Sequence, residues 1–309
     1  MALQRVSAGN RIKELKEGRK RKTRIRLLIA AVSILVIICS IVFISRTRQL
    51  QIQTIVVRGN YIVATEEVKT AVQSILDQKY LWLIPKTNVL LYPEKYLTKT
   101  ISAKFQRFNT VEFHRENWST LVVDVTERKN VYLWCDALPS VAGGINQNCY
   151  YVDDHGYIFS RSPSFSGNVY FVFYGTYLWG ENESPVGKKL FDDTYFRDVI
   201  RFKEGIASKE LVPSGFITYS TGVSAFLLSP RFDDTKQKIV FTKSQELATL
   251  FDNLSLALTS VDLRKQLADS FSTLQYIDLR YDKKVYYKFG SSPDITDQET
   301  ATLPVMEEQ

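Results

Sequence analysis

The hydrophobic positions of this chain fall into three rhythms. The first is continuous. Residues 27–44 read LLIAAVSILVIICSIVFI, with no charged residue. As a helix the run is about 27 Å long, close to the roughly 30 Å hydrocarbon core of a bilayer. A buried core helix of that length would keep a polar stripe. A cleaved signal peptide would have a shorter apolar run and a small-residue cleavage site, whereas Ser45-Arg46-Thr47-Arg48 follows here. The pattern predicts one transmembrane helix, residues 27–44, in contact with membrane lipid.

The second rhythm fills residues 49–129. Ile52, Ile55 and Val57 mark a strand ending at Arg58-Gly59-Asn60, where Gly59 and Asn60 suit a turn that needs left-handed dihedrals. Thr65 is read as the cap of a helix with Val68, Val72, Ile75 and Leu76 on its apolar face. Tyr80–Lys86 is an apolar connector closed by Pro85. A second helix is expected after Pro93, with Tyr96, Leu97, Ile101 and Phe105 inward. Strands at Thr110–Arg115 and Thr120–Arg128 follow, turning at Asn117. The order β-α-α-β-β predicts a small sheet with two helices on one face.

The third rhythm, residues 130–290, is mostly period two. Strands are expected at Val131–Trp134, on either side of Gly156 within Tyr150–Phe159, at Asn168–Tyr174, Gly215–Tyr219, Val223–Leu228 and Ile239–Phe241. Helical faces are expected at Phe196–Phe202, at Leu247 through Leu258, and within 262–272. The last element, Tyr276–Phe289, alternates polar and apolar residues around Asp282-Lys283-Lys284 and reads as a hairpin. Residues 291–309 are polar and acidic, and are expected to be a disordered tail. The fold class is therefore α+β, behind one membrane helix.

Charge orients the span. Residues 1–26 hold ten Lys/Arg against two Glu, so the overall +7 becomes −1 over the remainder. The basic flank stays in the cytoplasm, and the bulk of the chain lies outside. That flank, weakly periodic, is expected to be disordered or a loose interfacial helix. The outer part has no excess of cations to attract nucleic acid. Cys135 and Cys149 are external and bracket a short loop. They form either a disulfide, favoured by an oxidising exterior, or two separate buried thiols. No catalytic or metal-binding pattern emerges. His114 and His155 lack a second ligand at metal spacing, Asp153-Asp154 lacks the calcium-loop pattern, and there is no phosphate loop or nucleophile elbow. No enzyme activity, cofactor or small-molecule substrate is expected.

Three stretches carry a resemblance. Ile52, Ile55, Val57, Gly59 and Asn60 match an "I-x-x-I-x-V-x-G-N" motif, and Leu121-Val122-Val123-Asp124-Val125-Thr126-Glu127-Arg128 is similar to "L-x-V-x-V-x-E-R". Tyr276-Ile277-Asp278-Leu279-Arg280-Tyr281 is similar to a terminal "y-i-D-L-R-y" hairpin. With the basic tail and single span, these resemble the FtsQ/DivIB family of bacterial cell-division proteins. The resemblance implies a POTRA domain at 49–129, a β domain at 130–290, and a non-enzymatic scaffold of septum assembly at the plasma membrane. It also implies that the last strand lies at a sheet edge and receives a strand from an FtsB/DivIC-like partner, with an FtsL-like protein nearby. Tyr281, Lys283 and Phe289 fall at matching contact positions, and Tyr276 and Arg280 lie beside them. Lys283 stands where the family often has a small residue, and Phe289 where it has Trp. Asp278 and Arg280 are expected either to form a weak surface ion pair or to touch the partner. The alternative to the scaffold is a membrane-anchored extracytoplasmic sensor or wall-processing accessory.

Overall fold

The apolar run and its basic flank form one helix, α1 (Ala8–Ser45). The computed structural model describes the backbone of residues 8–80, 83–136, 148–165, 169–175, 183–219, 221–228, 237–281 and 283–290, with side chains from residue 24. The expected 291–309 tail, the start of the basic tail and most of the cysteine-bracketed loop lie outside these residues. From Ala8 the flank is not loose but continuous with the span. Its Lys, Arg, Glu and Leu are good helix formers, and an existing helix extends without a new nucleus. The membrane-length part is wider than 27–44. It covers Arg24–Ser45, 22 residues with none of the apolar window buried inside the protein, or about 33 Å.

The chain divides into two compact units, Met1–Glu127 and Arg128–Gln309. After α1 the first unit runs β1 (Thr54–Arg58), α2 (Thr65–Leu76), a small hairpin of β2 (Lys79–Tyr80) and β3 (Ile84–Pro85), α3 (Glu94–Lys104), β4 (Phe108–Arg115) and β5 (Thr120–Glu127). The sheet order is β1-β5-β4, with β1 parallel and β4 antiparallel to the central strand. The chain between β1 and β5 supplies the crossover that a parallel pair needs. Val68, Val72, Ile75 and Leu76 of α2 and Leu97 and Ile101 of α3 close on Phe113, Leu121, Val123 and Val125. Tyr96 does not point inward. It is half exposed, and its ring lies 5.3 Å from the Lys86 ammonium, because the apolar stripe of α3 is only wide enough for Leu97 and Ile101.

Thr65 is not the cap of α2. The cap position is Ala64, without a side-chain bond. The work is done from the end of β5. The Glu127 carboxylate accepts the backbone N–H groups of Tyr61, Ile62 and Val63, each at 2.9 Å from Oε1. Asn60 Nδ2 donates to Val63 O (2.7 Å) and to Thr65 Oγ1 (2.9 Å). Gly59 makes the turn possible. Its φ is +83°, and a Cβ there would stand 2.0 Å from Val125 O.

The second unit contains β6 (Tyr132–Cys135), β7 (Cys149–Val152), β8 (Ile158–Arg161), β9 (Val172–Gly175), α4 (Asp193–Ala207), β10 (Gly215–Thr218), β11 (Val223–Leu227), β12 (Lys238–Thr242), α5 (Leu247–Ala257), α6 (Val261–Ser270), β13 (Leu274–Tyr281) and β14 (Lys284–Phe289). All nine strands join one mixed sheet, in the order β14-β13-β12-β11-β10-β9-β6-β7-β8. Helical crossovers serve the parallel pairs β9–β10 and β12–β13. Phe196, Val199, Phe202 and Ile206 of α4 and Leu247, Leu250 and Leu254 of α5 share one core with the sheet face. Rings run across that face: Phe173 to Phe216 at 5.8 Å, Phe216 to Phe226 at 5.0 Å, Phe226 to Phe241 at 5.8 Å. Cys135 and Cys149 are joined as a disulfide between directly paired positions of β6 and β7. That resolves the two alternatives left open by the sequence.

Two outcomes follow. Gly59→Ala is expected to destabilise the first unit by about 2–4 kcal/mol through backbone strain and the clash with Val125 O, measured as a lower Tm of the detergent-solubilised chain. A maleimide applied to the unfolded, unreduced chain is expected to label Cys39 alone, and all three cysteines after reductant. Labelling of three thiols before reduction would contradict the disulfide.

Candidate functional site: an open sheet edge and the groove beside it

The terminal hairpin is held firmly at its base and little at its tip. β12 pairs with β13 through Lys238–Tyr276, Ile239–Ile277 and Val240–Asp278. Past Asp278 that ladder stops, and the Gln245 amide donates to Leu279 O at 3.2 Å. β14 pairs with β13 along Leu274–Phe289 to Tyr281–Lys284. β14 is the terminal strand of the sheet order, so among the described residues its outer edge carries no strand. Its unpaired N–H and C=O groups are a template for another strand.

The two faces of β14 differ. Val285 and Phe289 pack against the helix-covered core, and Tyr287 meets Phe289 at 6.1 Å. The opposite face carries Lys284, Tyr286 and Lys288. A register shift between Asp278 and Tyr281 turns Tyr281 to that same side, where its ring meets Tyr286 edge-on at 5.0 Å. The two tyrosines help line a groove of about 710 Å³ floored by Val223, Val240 and Tyr276.

Asp278 and Arg280 stand in this groove, but not as a surface pair. Asp278 is 4% exposed. It accepts the Arg280 backbone N–H at 3.0 Å, Nε at 2.9 Å and Nη2 at 2.6 Å. Hydrogen bonding to that carboxylate holds the Arg280 guanidinium above its already high pKa. The arginine neutralises a buried charge that would otherwise be costly, and its exposed side borders the groove. With Asp278 neutralised, Lys283, Lys284 and Lys288 leave the edge cationic.

Of the contact residues expected from sequence, Tyr276, Arg280 and Tyr281 line the groove, and Lys283 is exposed in the turn. Phe289 is not with them. It lies on the opposite face and is half buried, because strand alternation pairs it with Val285 rather than with Tyr286. Tyr286 and Tyr219, which also line the groove, were missed. The alternation Lys284, Tyr286, Lys288 is visible in the sequence and would have found the first. The contribution of Tyr219 needs the sheet order.

The second cluster, Asp153, Asp154 and His155, brings one ligand atom from each residue within 4.8 Å. Asp153 is 2% exposed and already committed. Arg128 Nη1 meets its Oδ2 at 2.5 Å, and its Oδ1 accepts His155 N and Tyr157 N, both at 2.9 Å. Asp154 and His155 face solvent. This is a turn stapled to the start of the second unit.

Phe289→Asp is expected to cost about 2–3 kcal/mol, by removing a packed ring and setting a charge against the core. Tyr281→Lys should stay within about 1 kcal/mol, the scale of one exposed aromatic pair. Urea unfolding followed by tyrosine and tryptophan fluorescence separates the two.

No protein-family model matches this chain, and no curated protein is significantly similar to it.

Proposed function

We propose that this chain is a membrane-anchored, non-enzymatic scaffold of bacterial septum assembly, with a cytoplasmic N-terminus and its two folded units outside. The observation that carries the reading is the β14 edge. It is terminal in its sheet, cationic, flanked by a groove with paired tyrosines, and held by its inner face so that it keeps its shape without a second neighbour. A strand added there would gain main-chain hydrogen bonds, and its side chains would meet Tyr281, Tyr286 and Tyr276. The partner proposed is a strand-forming segment of an FtsB/DivIC-like coiled-coil protein, with an FtsL-like protein in the same assembly. The first unit is read as a POTRA domain, on its strand-helix-helix-strand-strand order and its Gly59-Asn60 turn. A sensor or wall-processing accessory would be better served by an enclosed pocket than by a groove along a sheet face.

Co-purification of the detergent-solubilised chain with an FtsB/DivIC-like protein tests this. Tyr281→Lys is expected to abolish recovery of the partner while leaving the Tm nearly unchanged. Undiminished recovery with Tyr281→Lys, and again with Tyr286→Lys, would overturn the edge-strand reading.

A further inference from the structure

The span does not end in a free linker. Its last carbonyls are taken up one after another. Ser45 Oγ donates to Val42 O at 2.8 Å, Arg46 N to Phe43 O at 3.2 Å, and Thr47 Oγ1 to Ile44 O at 2.9 Å. Ser45 O accepts from the Asn88 side-chain amide at 3.1 Å, and Asn88 is 1% exposed. Arg46 Nε and Nη2 donate to Leu83 O at 3.2 and 3.0 Å. Val89 N donates to Leu50 O and Ile52 N to Thr87 O, at 2.9 and 2.8 Å. The segment around the β2–β3 hairpin is therefore bonded directly to the point where the helix leaves the bilayer.

That segment carries apolar side chains turned outward. Leu83, Leu90 and Leu91 are 50%, 54% and 45% exposed. Around them stand Tyr80, whose hydroxyl donates to Leu91 O at 3.2 Å, the half-exposed Tyr96, and Lys86, whose ammonium lies 5.5 and 5.3 Å from those two rings. Aliphatic side chains next to tyrosines and cations are the composition of a membrane–water interface.

We propose that this patch is a lipid-facing foot. Leu83, Leu90 and Leu91 enter the outer headgroup and upper acyl region, and Arg46 and Lys86 lie at phosphate level. The occupant is lipid rather than protein because the patch is continuous with the surface of the span, through bonded neighbours at Ser45–Asn88 and Arg46–Leu83. The inference rests on the span reading and is independent of the division role.

Spin labels test it on the full chain in lipid nanodiscs. The background is Cys39→Ser, with the Cys135–Cys149 disulfide intact. Labels go on Leu83→Cys, Leu90→Cys and Leu91→Cys. Val36→Cys is the mid-span reference, and Tyr61→Cys, beyond the far end of β1, is the aqueous reference. The ratio of oxygen to water-soluble nickel-chelate accessibility is expected to be several-fold higher at 83, 90 and 91 than at 61. Aqueous ratios at 83, 90 and 91 with a lipid ratio at 36 would overturn the foot alone. An aqueous ratio at 36 as well would overturn the span and the foot together. Protection of 83, 90 and 91 from both reagents would assign the patch to a second copy of the chain, and likewise overturn the proposal.

Discussion

A helix that ends has four carbonyls with no partner in the next turn, and each must find a donor outside the regular bond ladder. That constraint shapes the first unit. The polar residues just after the apolar run answer part of it, and Asn88 answers the rest from 43 residues away in sequence. To deliver its amide, Asn88 must be buried beneath the helix end, which fixes the segment carrying it and the small hairpin before it. The first folded unit is therefore bonded onto its anchor rather than hung from it. The end of the helix and the domain are joined by side-chain hydrogen bonds from Asn88 to Ser45 O and from Arg46 to Leu83 O.

The second unit meets a different constraint. A nine-stranded sheet has two edges, and both are unpaired backbone unless something covers them. The β8 edge is covered from within the chain. Ile158 N donates to Lys188 O, and Gly187 N to Ile158 O, at 2.9 and 2.8 Å. The β14 edge is treated otherwise. It has lysines along one face and core anchors along the other, a composition that discourages self-pairing while keeping the strand extended. The two ends therefore differ: β8 has a bonded neighbour outside it, and among the described residues β14 carries no strand on its outer side.

Much of this was legible in the sequence, because periodicity reports local packing directly. The apolar faces of α2 and α5, the Gly59 turn and the terminal hairpin all follow from residue type and spacing. What was not legible depends on partners far away in the chain. Glu127 reads as the end of a strand, and only the fold shows it gathering three amides beside α2. Thr65 has the chemistry of a cap, but the turn ahead of it was already satisfied from elsewhere. Asp278 and Arg280 look like a surface pair, since two residues in a strand give no sign that one is buried. Phe289 illustrates the same limit at the candidate site. Its type suits a contact surface, and its parity in β14 sends it to the core.

The register shift between Asp278 and Tyr281 sets which side of β13 the last tyrosine occupies. In an unbroken strand Tyr281 would share a side with Leu279 and Ile277, facing the helices. The extra residue advances the alternation by half a period, and Tyr281 comes out beside Tyr286. The tyrosine-lined face of the groove thus depends on a phase as well as on side-chain identity. Insertion or deletion of one residue in this short stretch would erase the tyrosine pair without changing a single aromatic residue.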